Sequence, residues 1–375
     1  MADNIYFDKN KNNKERRSED ISFSDKKFTE KINPEQINTS PGSLSFSDIV
    51  TEDRVIKGEA PVQRKKKSSR KKSRSKKIII SSVAIFLAVI LLFLTAAATS
   101  VSYILADYSE KDFSENIYAE ESSLMYSDSV YNLLLMGIDT SDTSAASRSD
   151  AMILMSIDKK NNTLKLSSFL RDSYVAIPGY GNAKLNAACV YGGPQLVCDT
   201  IESNFGIRID DYAKVGYDMF IKVIDAVGGV TIPDIDETEV KALAEAGFIT
   251  EAGENIKVNG VQALAYCRIR KGQSDFNRTG RQREVISLVL KKLPHSNPFT
   301  LLKTAKEIAS NIECSISKNE FFSLLMKVLP CLTGDIEQMH VPADGTWYND
   351  TKNYQAVLVV DFAENKALLD EFIYG

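Results

Sequence analysis

Five of the eight arginines beyond residue 107 fall in one stretch, residues 268–283, reading RIRKGQSDFNRTGRQR. Guanidinium forks grip phosphate oxygens two at a time, so such a cluster asks for a local anionic partner, which suits a dianion or a pyrophosphate. Arg268 and Arg270 are two apart and project to one side of an extended segment. After Asp275 the spacing predicts a helix whose apolar stripe is Val285, Ile286, Val289, Leu290 and Leu293. Three or four residues back along that stripe stand Arg278, Arg281 and Gln282, while Arg283 and Glu284 fall off it. An inward guanidinium needs a partner, because an unpaired buried charge is very costly. One internal pair, Arg278 with Asp275, would account for one of them. Four arginines and a glutamine are harder to satisfy that way.

A second set of charges lies upstream. Residues 131–138, 151–157 and 164–170 are nearly continuous apolar runs, the pattern of strands buried on both faces. Asp139 ends the first, Arg148 and Asp150 precede the second, and Arg171 and Asp172 follow the third. If the second and third strands form a hairpin about residues 160–162, these groups meet at one rim of the sheet. Helices are expected at 194–205, with proline in the first turn, at 217–227 before Gly228 and Gly229, at 240–246 and at 261–266. A strand follows at 230–232, and residues 301–312 and 318–329 are helical in pattern, with a strand at 338–341. Trp347 is placed in a loop, with packing as its expected role. Alternating helices and buried strands predict an α/β domain whose mixed central sheet is covered by helices.

The charge of the whole chain, −4, conceals a division. Residues 1–104 hold 20 Lys and Arg against 12 Asp and Glu, whereas residues 105–375 hold 26 against 38. Between the halves, residues 78–106 carry no charge and are long enough to cross a bilayer as one helix. Ten cations crowd the fourteen residues before it, 64–77, and such a flank stays on the cytoplasmic side. A 63-residue leader before that basic run is too long for a cleaved signal peptide. The expected organisation is therefore a disordered cytoplasmic tail with a basic run at 1–77 and a single transmembrane helix at 78–106. A polar stalk at 107–128, a catalytic domain at 129–297 and a C-terminal part completing it at 298–375 follow outside the cell membrane. Nucleic acid is not an expected partner, because the basic run is explained by the membrane and the outer domain is acidic. Two histidines rule out a site built on three, and no cysteine spacing resembles a zinc site. Five cysteines permit a pair such as Cys189–Cys198 or Cys314–Cys331 outside the membrane, or buried thiols.

The ordered set of motifs resembles the LytR-CpsA-Psr family of cell-envelope proteins over residues 130–295. It runs through Gly137-Ile138-Asp139, Arg148-Ser149-Asp150, the SFLRDS run at 168–173, KLNAA at 184–188 and YGGP at 191–194. VGGV at 227–230, YCRIR at 266–270 and DFNRTGRQ at 275–282 complete it. Family members usually carry proline at Leu170, an acid at Ala183 and glycine at Asn277, and none of these departures removes a charged site residue. The resemblance implies transfer of a glycopolymer, such as teichoic acid or capsule, from a polyprenyl pyrophosphate carrier to a peptidoglycan hydroxyl. It implies a Mg2+ ion on Asp139 and Asp150, with Arg148, Arg171, Arg268, Arg270, Arg278 and Gln282 on the pyrophosphate and an apolar tunnel for the lipid. Asp139, Asp150 and Arg148 are the expected catalytic set, with either aspartate a candidate base. Phosphoryl transfer asks mainly for positioning and charge neutralisation, which suits these residues. A hydrolase releasing the same phosphate, or a non-catalytic envelope regulator binding lipid-linked polymer, would use the same groups. No P-loop and no serine triad is present.

Overall fold

The protein is described here from a computed structural model covering residues 99–138, 147–245, 248, 252–270 and 274–375. The expected tail and most of the expected membrane span lie outside these residues, as does Asp139. Among the described residues no helix is long and apolar enough to cross a membrane.

The three apolar runs form β1 (Val130–Ile138), β2 (Ser149–Asp158) and β3 (Thr163–Phe169), each antiparallel to the next. Successive side chains on a strand point to opposite faces. Leu134 and Leu154 accordingly enter one core, with Phe169 and Phe205, and Leu133 and Ile153 enter another, with Leu164 and Leu166. Both faces are dry, which is why the runs show no polar alternation. Each fully buried leucine contributes roughly 1.5–3 kcal/mol relative to exposure.

A hairpin of β4 (Tyr174–Ile177) and β5 (Gly181–Lys184) precedes α1 (Ala187–Phe205). The helix expected from 194 begins earlier, because a further turn precedes a kink at Gly192 and Gly193. Next, β6 (Asp211–Val215) lies parallel to β1. Then come α2 (Tyr217–Ala226), β7 (Val230–Ile235), α3 (Glu237–Glu245), β8 (Gly253–Val258) and α4 (Gly260–Cys267). The turn from α2 into β7 requires glycine at 229, where φ is +80° and a Cβ would stand 2.5 Å from the Val258 carbonyl oxygen. Gly260 lets α4 lie on α2, since a Cβ there would meet the Ile221 carbonyl at 2.4 Å. The chain continues through α5 (Asp275–Lys292), α6 (Pro298–Ala309), β9 (Glu313–Cys314), α7 (Lys318–Cys331) and β10 (Ile336–Val341). It ends with the β11 (Trp347–Lys352) and β12 (Gln355–Val360) hairpin and α8 (Phe362–Tyr374).

The central sheet has the order β10-β3-β2-β1-β6-β9 and is mixed, with β10 parallel to β3. On one face α1 and α8 close the core. On the other, a third apolar cluster joins α2, β7, β8, α4 and α5. Residues 107–128 lie against the domain, where the Lys111 amide donates to the Cys314 carbonyl and the Met125 amide to that of Gly206. Trp347, expected in a loop, begins β11 and stacks on Phe276 of α5 with ring centroids 4.8 Å apart. All five cysteines are buried free thiols, so the disulfides entertained from the sequence are absent.

Candidate functional site: an arginine cluster at the mouth of an apolar tunnel

β2 starts, and β3 ends, at the same edge of the sheet. Asp150 at the head of β2 therefore meets Arg171, just beyond β3, and Arg171 Nη1 donates to Asp150 Oδ1 at 2.6 Å. Helix α5 enters the same place by its N-terminus. Ser274 caps it, accepting from the Asn277 amide, and Asp275 occupies its first turn, where the helix dipole favours an acid. Asp275 reaches Arg171 at 3.4 Å and Arg278 at 3.0 Å. Arg270 stands 3.7 Å from Asp150 Oδ2, and Arg278 also donates to the Asp150 carbonyl. Asp172, which pairs with Lys184 at 2.7 Å, lies 3.7 Å from Arg171 Nε.

The internal pair anticipated for Arg278 thus exists, yet among the described residues the cations around it outnumber the carboxylates. Arg148, Arg171, Arg268, Arg270, Arg278 and Lys184 are gathered with three described carboxylates, Asp150, Asp172 and Asp275. The Nε groups of Arg171 and Arg278 are buried without a hydrogen-bond partner, as is Gln282 Oε1. Burial pulls the Arg278 pKa down, with Asp275 opposing and Arg171 and Arg270 adding to the fall. Burial works against Arg171 also, but Asp275, Asp150 and Asp172 outweigh it and raise its pKa. Asp275 is pushed above the usual carboxylate range by burial, despite both arginines. A cationic group held at that disadvantage is stabilised by any anion that brings oxygens to its free N–H groups.

The cluster closes one end of a cavity of about 370 Å³ between the sheet and α2, α4, α5 and α6. Asp150, Arg268, Arg270, Arg278 and Gln282 form its polar end. Leu135 and Ile153 line the sheet side, and Phe220, Ile286, Leu290 and Ile312 are among the apolar residues opposite. Arg268 is exposed and lies over the Tyr217 ring, 4.7 Å from its centroid. Arg148 lines a neighbouring polar pocket with Lys184. Of the residues singled out from the sequence, Asp150, Arg171, Arg268, Arg270, Arg278 and Gln282 thus converge, Arg148 borders them, and Asp139 lies outside the described residues.

Two other arginines of α5 have different roles. Arg281 is fully engaged in the interior: its Nη1 meets Glu239 at 3.2 Å, and its Nε and Nη2 donate to the carbonyls of Tyr266 and Ile269. Arg283, expected off the inward face, is only 7% exposed. The helix packs against α4, β7 and β10, and no residue from Arg278 to Leu290 is exposed. Arg283 Nε donates to Gln338, and burial takes its pKa down to about 10. Asp275 was legible only as a partner for Arg278. The helix N-cap Ser274 before it is the signal that places it at the mouth.

Of the two expected magnesium ligands, Asp150 belongs to the described residues. No group of three or more metal-ligating side chains occurs among the described residues. Magnesium commonly takes one or two carboxylates and completes its shell with water and phosphate oxygens, so Asp150 beside an anion site suits it in kind.

A covered mixed sheet thus carries an apolar cavity with a cluster of arginines at one end. The model of the LytR_cpsA_psr family matches residues 91–370, and the chain belongs to that family. It is 31% identical over 226 residues to a polyisoprenyl-teichoic acid--peptidoglycan teichoic acid transferase TagU of Halalkalibacterium halodurans, covering 59% of this chain and 72% of that one. Among solved structures, TagT bound to LIIa-WTA superposes with a TM-score of 0.58 at 24% identity, over 71% of this chain and 99% of that one. The LytR-CPS2A-psr family protein YwtF (TagT) with bound octaprenyl pyrophosphate lipid gives 0.55 at 22%, over 71% and 99%. At those identities the likeness shows the fold.

Proposed function

We propose that this protein transfers a glycopolymer from a polyprenyl pyrophosphate carrier to a hydroxyl of peptidoglycan. The observation that carries the reading is the junction of an apolar tunnel with buried guanidinium groups whose N–H donors are unspent. A prenyl chain would occupy the tunnel, burying its methylenes against Ile286, Leu290 and Phe220. The diphosphate would then lie among Arg171, Arg270 and Arg278, with Arg268, Arg148 and Gln282 at its margins. The relatives named for teichoic acid transfer to peptidoglycan support the same reading.

The side chains have separable tasks. Arg278 and Arg171 hold the phosphate oxygens and lower the cost of charge accumulating on them. Asp150 fixes Arg171 and Arg270, and Asp275 fixes Arg278 and Arg171, so the guanidinium planes are set before the ligand arrives. Asp150 and Asp139 would hold a magnesium ion, which when bound supplies charge neutralisation at the leaving phosphate. An acceptor hydroxyl then needs a base within reach, and Asp150 is the described candidate. We place the domain outside the cell membrane, anchored by residues 78–106 with the N-terminus in the cytoplasm, on the strength of the basic flank.

The test is incubation of the purified full chain with a lipid pyrophosphate-linked oligosaccharide, peptidoglycan and magnesium. Sugar linked to peptidoglycan is the expected product, lost in Asp150→Ala with the thermal transition retained. Release of free sugar phosphate alone would make the protein a hydrolase, and binding without turnover would make it a scaffold.

A further inference from the structure

Beside the arginine mouth lies a second cavity, of about 280 Å³, walled by the β4–β5 hairpin, the first turn of α1 and the β11–β12 hairpin. Its chemistry differs from that of the tunnel. Three tyrosines line it, and Tyr180 and Tyr191 stack with centroids 4.9 Å apart and planes 18° from parallel. The Tyr180 hydroxyl donates to the Tyr191 carbonyl, which locks the pair, yet the two residues remain 57% and 45% exposed. Large exposed aromatic surface held rigid against solvent is a poor arrangement unless something covers it.

The remaining lining is rich in amides: Asn182, Asn186, Asn353 and Gln355. Asn186 is decisive. It is only 6% exposed, and its Oδ1 has no hydrogen-bond partner although the residue precedes a helix it could have capped. A buried amide oxygen without a donor costs roughly 1–3 kcal/mol, and such a group in a pocket wall points to a ligand that supplies the donor. The cations of the pocket are largely spent. Lys184 pairs with Asp172, and Lys352 pairs with Asp350 at 2.6 Å. Only Arg148, at the side next to the pyrophosphate site, has no ion pair among the described residues.

We infer that this second cavity is a saccharide subsite. A pyranose ring presents a face of C–H groups to an aromatic ring and a rim of hydroxyls or acetamido groups that donate to and accept from amides. Neutral amides, rigid tyrosine faces and already neutralised lysines fit that chemistry and not a second phosphate or a lipid chain. The inference rests on the proposed transfer function, which brings two saccharides to this mouth: the first sugars of the donor polymer and the acceptor glycan. The polar link is continuous, because Lys184 in the pocket wall holds Asp172, and Asp172 lies beside Arg171.

Binding of three probes to the full chain in detergent separates the possibilities: inorganic pyrophosphate, a neutral disaccharide fragment of peptidoglycan, and a donor-type disaccharide 1-phosphate. Wild type should bind pyrophosphate and at least one of the two sugars. Tyr191→Ala and Gln355→Ala, both at exposed positions, should weaken that sugar at least tenfold and leave pyrophosphate affinity within twofold. Loss confined to the peptidoglycan fragment identifies the acceptor, and loss confined to the donor disaccharide identifies the first sugars of the polymer. Equal sugar binding by wild type and both variants, or no sugar binding at all, overturns the subsite. Failure of pyrophosphate to bind wild type would instead sink the function on which it rests.

Discussion

Arg278 and Arg281 stand three residues apart on α5, and both are almost wholly buried, at 3% and 5% exposure. Their surroundings nevertheless part them. Arg281 spends its guanidinium on Glu239 and two backbone carbonyls, and it does not line the apolar cavity. Arg278 shares Asp275 with Arg171, leaves Nε unpaired and forms part of a cavity wall. The pair shows that burial of a charge does not by itself distinguish structure from function. What distinguishes them is whether the interior answers every donor. Arg281 ties α5 to α3 and α4, and Arg278 is held ready for oxygens that the protein does not itself provide.

The contrast breaks most severely at Arg281. Removing one member of a buried ion pair leaves the other uncompensated and typically costs about 3–5 kcal/mol. Arg281→Leu should therefore lower the thermal transition sharply or prevent folding, and differential scanning fluorimetry reads it. A double change, Arg281→Leu with Glu239→Leu, should recover much of the loss, because the stranded carboxylate is gone. If the double variant is no better than the single one, Arg281 is not the structural tie described.

Arg278→Lys sharpens the other half. It keeps a charge and discards the fork, so lipid pyrophosphate binding and turnover should fall by about 10²–10³, the usual consequence of losing one donor to a developing negative charge. The fold should be preserved, since the one carboxylate paired with Arg278 among the described residues, Asp275, retains Arg171. Isothermal titration with pyrophosphate and a melting curve check both statements. A variant that melts early but binds normally would make Arg278 a structural residue after all.

Much of this division could be read from spacing, and its limits are physical. The three continuous apolar runs announce strands dry on both faces, and their order alone brings Asp150 and Arg171 to one rim. β6 escaped notice because it carries Asp211 and Lys214 in place of an apolar run. Those charges are tolerated only because Ser315, Tyr131 and Glu313, distant in sequence, meet them. The helical period put Arg278 and Arg281 on one face correctly, but it could not say which would find an acceptor. That depends on Glu239 arriving from α3, a tertiary event without local signature. Arg283 departs from expectation for a related reason: an apolar stripe describes a helix with one wet side, and α5 has no exposed residue from Arg278 to Leu290. The β4–β5 and β11–β12 hairpins that build the second cavity are short and half polar, and short strands are the least legible of elements.

The smallest predicted effect concerns the acids that serve the two arginines. Asp275 and Glu239 are each pushed above the usual carboxylate range by burial, and in each case the neighbouring arginine opposes the rise. The folded state then binds protons more tightly than the unfolded chain at both sites. The stability tied to each is present below the unfolded carboxyl pKa, about 4, and is lost as pH rises through the raised folded value. Asp275→Asn and Glu239→Gln should each flatten the decline in stability over that window, measured by urea midpoints at successive pH values. Pyrophosphate should separate them. A dianion seated on Arg278 and Arg171 brings further negative charge towards Asp275 and favours its protonated form, so binding should steepen the pH dependence of wild type and much less that of Asp275→Asn. Glu239→Gln should respond to pyrophosphate as wild type does, because Arg281 lies away from the mouth. An equal response at both acids would mean that the two arginines share one electrostatic environment, and the distinction between tie and grip would have to be given up.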